Sequence, residues 1–164
     1  MTMTKWTLQK NHLPDKVCFV VSRPVRIGLV VLGLGQGGVA LWALFGPRSF
    51  FDDFPTRSAN WVDAFLPYNE HLIRENGASF LALSVLALVA AWVAERRLVL
   101  IALGVWLVSA VPHFAFHLAH ADEPPGAKGV SSLMTLGFNV VLPLVLLFLV
   151  RKENPYDPDR PRPR

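Results

Sequence analysis

The sequence predicts an all-α fold, an antiparallel bundle of four transmembrane helices in a polytopic membrane protein. Three observations predict it. Hydrophobic residues make up 52% of the 164 residues and charged ones 17%, against roughly 25% charged in an ordinary soluble domain. Such a chain has too little polar surface to coat a water-soluble globule. Four apolar runs of about twenty residues are each long enough for a ~30 Å hydrocarbon core. Outside them no segment much exceeds about thirty residues, below the ~40 that usually fold unaided, which excludes a large soluble catalytic domain.

The elements follow in order. Residues 1–24 form a basic segment with Lys5, Lys10, Lys16 and Arg23. It is too long and polar for a compact signal peptide, and no small-x-small cleavage site follows the apolar run, so the first span reads as an uncleaved anchor. That span is expected over 25–45, the others over 77–94, 98–119 and 130–150. At 1.5 Å per residue each covers about 27–33 Å, enough to cross with modest tilt. The connection 46–76 carries Phe50, Phe51, Phe54, Trp61, Phe65 and Tyr68 beside Asp52, Asp53, Asp63, Glu70 and Glu75. Rings of this kind favour the headgroup zone. The i,i+4 pairs Trp61 with Phe65 and Val62 with Leu66 predict a short interfacial helix starting near Ser58. The connection is expected to lie over the bundle end as a lid or as an interfacial anchor. Residues 151–164 are rich in proline and charge, so disorder is expected there, with a basic end that can touch anionic lipid.

Lys and Arg set the orientation. Lys5, Lys10, Lys16 and Arg23 precede the first span and Arg26 lies at its very start, Arg96 and Arg97 sit in the hairpin between spans two and three, and Arg151, Lys152, Arg160, Arg162 and Arg164 follow span four, twelve in all. The other side has four: Arg48, Arg57, Arg74 and Lys128. The positive-inside rule then predicts both termini in the cytoplasm of a bacterial cytoplasmic membrane. The basic balance is thereby an orientation signal and requires no nucleic-acid partner. The lone Cys18 excludes an internal disulfide and any two-thiol redox relay.

Polar side chains inside spans usually face protein or water, so they point to a site. Span three places Ser109, His113, His117 and His120 on one helical face, with Trp106 one turn deeper. Span four carries the stripe Ser132, Thr135, Asn139, and span one carries Gln36 among Gly33, Gly35, Gly37 and Gly38. Span two is preceded by Asn69, a good N-cap, and Glu70, which suits a positive helix end; Glu70 with Arg74 and His71 with Glu75 are i,i+4 pairs. Gln36 lies about 16 Å and Asn139 about 14 Å into their spans, near the midplane. Together these residues predict a polar pocket opening outward, floored by Gln36 and Asn139, walled by the histidines, with Glu70, His71 and Arg74 at its rim. The bland reading has Gln36 and Asn139 hydrogen bonding between helices, the glycines permitting close packing, and the histidines sharing protons with Glu70 and Asp122. The sharper one has His113, His117, His71 and Glu70 ligating a divalent metal or, through facing imidazoles, a haem. The sequence lacks H-E-x-x-H, so the usual metalloprotease base is missing. Pro112 can kink span three.

The segments Pro67-Tyr-Asn-Glu-His-Leu-Ile-Arg-Glu-Asn-Gly-Ala and Val111-Pro-His-Phe-Ala-Phe-His-Leu-Ala-His resemble those of a group of small four-span bacterial membrane proteins, broadly DoxX-like in architecture. The resemblance covers about residues 25–150. It implies the four-span fold and groups Glu70, His71, His113 and His117 as a unit, but it implies no reaction. The expected function is a small binding or accessory protein acting through the pocket. A metal- or haem-dependent membrane oxidoreductase and a transporter built from a homodimer are the alternatives. The bilayer is the expected surrounding, with a second copy or another membrane protein as the partner class.

Overall fold

The computed structural model describes residues 20–65, 67–123 and 125–153. Cys18 and the tail beyond residue 153 lie outside these, as does most of the basic N-terminal segment. Five helices follow in order: α1 Arg23–Phe45, α2 Pro47–Asp53, α3 Glu70–Val93, α4 Arg96–Ala119 and α5 Ala127–Lys152. All but α2 are long and apolar enough to cross a membrane, which makes this a multi-pass, all-helical bundle. The long helices form a ring in which α1 packs on α3 and α5, α3 on α4, and α4 on α5, with α2 lying across one end of α1 and α3. That end, which carries residues 46–69, is called the loop end, and the opposite one, with the tight α3–α4 turn, the turn end.

Local chemistry sets several boundaries. The Asn69 side chain accepts from the Leu72 amide at 3.1 Å, so α3 starts at Glu70, seven residues before the apolar run proper. Pro47 occupies the first turn of α2, where its missing N–H costs nothing. At the turn end the Glu153 carboxylate accepts from the Ser22 amide at 3.0 Å, placing negative charge at the start of α1. The Val21 amide also bonds the Ala94 carbonyl at 2.9 Å, tying the entry of α1 to the α3–α4 turn.

The α1–α3 seam is built from small residues. A Cβ on Gly33 would stand 2.6 Å from Leu88 Cγ, and one on Gly37 would stand 2.7 Å from Ser84 Oγ. Ser84, buried, donates to the Gly33 carbonyl at 2.6 Å. Ala40, Ala43, Ala87, Ala90 and Ala91 fill the rest of the contact. Without a hydrophobic drive between helices in lipid, such close approach supplies dispersion and hydrogen bonding instead. Towards the turn end the ring closes on a dry core of Val25, Leu29, Leu32, Val99, Leu103, Trp106, Leu146 and Val150.

The short helix expected near Ser58 is a correction. The helix described in this connection is Pro47–Asp53, and residues 54–65 and 67–69 run as turns, bends and irregular chain. Trp61 sets its ring edge-on against Phe54 at 5.7 Å and Phe65 packs against His117 at 5.0 Å. Each ring takes another partner, Trp61 within the connection and Phe65 on α4, and the expected i,i+4 pairing of Trp61 with Phe65 does not form; Leu66, the expected partner of Val62, lies outside the described residues.

Candidate functional site: a cavity under an aromatic roof

At the loop end the ring opens into a cavity of about 580 Å³. Its floor is Gln36 from α1, Leu83 from α3, Trp106 from α4 and Asn139 from α5. The walls are Ile73, Asn76 and Phe80 of α3, Ser109, His113 and His117 of α4, and Ser132, Thr135 and Leu136 of α5. Phe50, Phe51, Phe54, Trp61, Val62 and Phe65 roof it. The roof is pinned on several sides. Trp42 Nε1 donates to Ser49 Oγ at 2.8 Å, Lys128 Nζ of α5 donates to Asn60 Oδ1 at 2.6 Å, and Phe65 meets Phe116 as well as His117. Beside it, Tyr68 lies edge-on to Phe51. Partial desolvation and then the Glu70 carboxylate raise its phenol above the ordinary range.

Hydrogen-bond accounting divides the polar lining into two sets. Thr135 Oγ1 donates to the Ser131 carbonyl at 3.0 Å and Asn139 Nδ2 to the Thr135 carbonyl at 3.1 Å. These side chains are satisfied within their own helix. The Asn139 carbonyl takes the indole N–H of Trp106 at 3.2 Å, which fixes the floor. Among the described residues no hydrogen bond is made by the side chains of Gln36, Trp61, Asn76, Ser109, Ser132, His113 or His117. Ser132 is 4% exposed and still has no partner. The two imidazoles stack at 4.9 Å with their planes 26° apart, and Phe80 lies 6.2 Å from His113. Among the described residues no Asp, Glu, Lys or Arg lines the cavity. The arrangement therefore offers donors and acceptors to a guest while offering no charge to balance one.

Of the residues singled out in the sequence, Gln36, Ser109, His113, His117 and Asn139 line this one cavity, and Glu70, His71, Arg74 and His120 do not. Glu70 pairs with Arg74 at 2.9 Å, and Arg74 also donates to the Leu44 carbonyl. His71 faces outward, its side chain 81% exposed, towards Glu75 at 3.2 Å. His120 stacks on Phe116 at 4.3 Å with Nδ1 at 2.8 Å from the Phe116 carbonyl. The four-residue set His113, His117, His71 and Glu70 is thus not assembled, because the i,i+4 partners on α3 hold His71 and Glu70 at the rim. No group of three or more His, Cys, Asp or Glu side chains suited to a metal ion occurs among the described residues. Nor does a proton-sharing network join the histidines to Glu70 or Asp122. Gln36 and Asn139 share the floor without bonding each other. Sequence reasoning passed over the α3 wall, although Asn69, Ile73, Asn76, Phe80 and Leu83 recur at the helical spacing that marks one face.

No family model, curated protein or solved structure matches the chain.

Proposed function

We propose that this is a small membrane-embedded binding protein whose cavity takes an uncharged amphiphilic molecule, with the polar head against α4 and α5 and the apolar part against the aromatic roof. One observation carries the reading: seven polar side chains without hydrogen-bond partners among the described residues, Ser132 almost fully buried, converge on a mostly apolar cavity. Polar groups in a span ordinarily bond a nearby carbonyl, as Thr135 and Asn139 do. Leaving several unpaired in a low-dielectric setting is costly unless a guest supplies the missing bonds. The volume lies within the ~300–1,000 Å³ of small-molecule sites, which share this mix of apolar walls and few polar groups. A charged guest would be desolvated there with nothing to pair it.

An oxidoreductase built on a bound metal has less support, since two stacked imidazoles make half of a tetrahedral set and His71 and Glu70 are engaged elsewhere. In this reading the loop end faces outward and both termini are cytoplasmic in a bacterial cytoplasmic membrane, supported by the twelve-to-four distribution of Lys and Arg. The resemblance of residues 67–78 and 111–120 to the DoxX-like four-span group supports the scaffold and leaves the ligand open.

The test uses protein in nanodiscs and three radiolabelled twelve-carbon amphiphiles: the neutral monoacylglycerol, the fatty acid anion and the alkylamine cation. The neutral probe is expected to show a saturable component that Ser132→Val and His113→Leu remove while the helical content stays. Partition identical to that of empty nanodiscs, or equal saturable binding of a charged probe, overturns the reading. Orientation is checked separately: a membrane-impermeant maleimide should label Cys18 only after lysis, and labelling of intact cells would invert the topology.

A further inference from the structure

A second site lies at the turn end, on the outer wall of the bundle. A groove of about 520 Å³ runs between α1 and α3, lined by Ile27, Val30, Val31, Leu88 and Trp92, with Arg23 and Arg26 at its mouth. The α1 residues fall at i, i+3, i+4, i+7 and i+8 from Arg23, a single face of the helix. Two cations therefore stand directly above an apolar strip, Ile27 to Val31, that descends about 6 Å further into the membrane. Trp92, 81% exposed, flanks the mouth at the depth where indole rings anchor in headgroups.

The guanidinium of Arg26 is held in place. Its Nε donates to the Ala91 carbonyl at 3.0 Å, bridging the groove from α1 to α3. That carbonyl belongs to the last turn of α3, where the helix leaves acceptors free. One N–H thus fixes the plane of the guanidinium, while its terminal nitrogens have no partner among the described residues. Arg23 likewise forms no ion pair there. Among the described residues no acid lines the groove; at the same end Glu153 accepts from the Ser22 amide and Glu95 precedes the first turn of α4. Two arginines without an ion pair among the described residues, at the mouth of a lipid-facing groove, make a positive site at headgroup level, and a planar fork suits two oxygens of one phosphate.

We infer that this groove is a binding site for an anionic phospholipid, its phosphate held by Arg23 and Arg26 and one acyl chain laid along Ile27, Val30, Val31 and Leu88 beside Trp92. A zwitterionic lipid fits the same apolar strip, but its positively charged terminus would meet the arginines. The two charges thus supply selectivity and the strip supplies the seat. The site is independent of the cavity at the opposite end, so either can fail alone.

The experiment is native mass spectrometry of the full chain released from nanodiscs of equimolar phosphatidylglycerol and phosphatidylcholine. The wild type should retain phosphatidylglycerol over phosphatidylcholine by about tenfold or more, the scale that two basic side chains at a membrane surface supply. Arg23→Gln combined with Arg26→Gln should bring the ratio near one. Arg97→Gln, at the same end but outside the groove, should leave it unchanged. Because Arg26 also bridges two helices, Arg26→Lys is included as a charge-preserving variant and should keep most of the enrichment. A second readout places the lipid: phosphatidylglycerol brominated along its chain should quench the fluorescence lost in Trp92→Phe more than brominated phosphatidylcholine does. Equal retention of the two lipids by the wild type, enrichment that survives the double substitution, or an equal loss in Arg97→Gln overturns the inference.

Discussion

The two halves of α4 lie in opposite surroundings. Towards the turn end Val99, Ala102, Leu103 and Trp106 are buried, whereas no residue from 107 to 119 is. The first half meets the alanines of α3 and Leu146 and Val150 of α5 in a dry core. The second half presents Ser109, His113 and His117 to open space beneath a roof that belongs to another part of the chain. Both halves are hydrophobic enough to reside in a membrane, so hydropathy does not distinguish them. What differs is the size and polarity of the facing residues. Small and branched apolar side chains let the ring close, while imidazole, indole and phenyl rings hold it apart.

Trp106 sits at the boundary between the two regimes, and its loss should have the largest effect. Trp106→Ala removes a buried ring and its bond to the Asn139 carbonyl; a loss of about 3–5 kcal/mol is expected, the usual scale for such truncations. Unfolding by a denaturing detergent in mixed micelles measures it. A loss under about 1 kcal/mol would mean that the dry half does not extend to this level.

The α1–α3 seam gives the next effect. Gly33→Val forces a side chain onto Leu88 and the Ser84 backbone and should cost about 1–3 kcal/mol. At Gly35 an added Cβ meets nothing within 4 Å, so Gly35→Ala should stay within about 0.5 kcal/mol of wild type. Equal behaviour of the two positions in the same assay would dissolve the seam as a packed unit.

Two serines sharpen the contrast further, since each is buried and only one is bonded. Ser84→Ala loses the bond to the Gly33 carbonyl and should cost about 0.6–1.7 kcal/mol. Ser132→Ala discards a hydroxyl without a partner among the described residues and should be neutral or slightly stabilising. If Ser132→Ala in nanodiscs without added amphiphile costs as much as Ser84→Ala, the free hydroxyl is a structural one and the cavity loses its best-placed donor.

The smallest effect is expected at the roof. Trp61 Nε1 is buried with no hydrogen-bond partner among the described residues, so Trp61→Phe trades some ring contact for removal of an orphaned donor. The net change should be less than about 1 kcal/mol in either direction. Thermal unfolding monitored by circular dichroism is sufficient to read it, and a large loss would show the indole to be a keystone of the roof.

What could be read along the chain was local. The four spans follow from hydropathy because, in lipid, every backbone polar group must be satisfied within the segment, which leaves helix as the only open form. The Asn69 cap and the pairs Glu70 with Arg74 and His71 with Glu75 follow from contacts within one or two turns. The same locality misled the reading at the rim: Glu70 and His71 were credited to a metal set across the bundle, while their nearest partners lay one turn away on their own helix. The connection was misread for the opposite reason. Trp61 and Phe65 show a helical spacing, but Phe54, seven residues back across a turn, and His117, on α4, take their rings instead.

By itself, then, the sequence determined four membrane-crossing helices and the face of α4 that carries Ser109, His113 and His117, since hydropathy and helical periodicity are properties of single segments. Only the tertiary structure decided which polar residues share a cavity, which are left without partners, and that α3 contributes a wall. Those outcomes depend on how far apart helices are held, and that distance is set by pairs such as Gly33 with Ser84 and Phe65 with His117, whose members are remote in the chain and meet only once the bundle has closed.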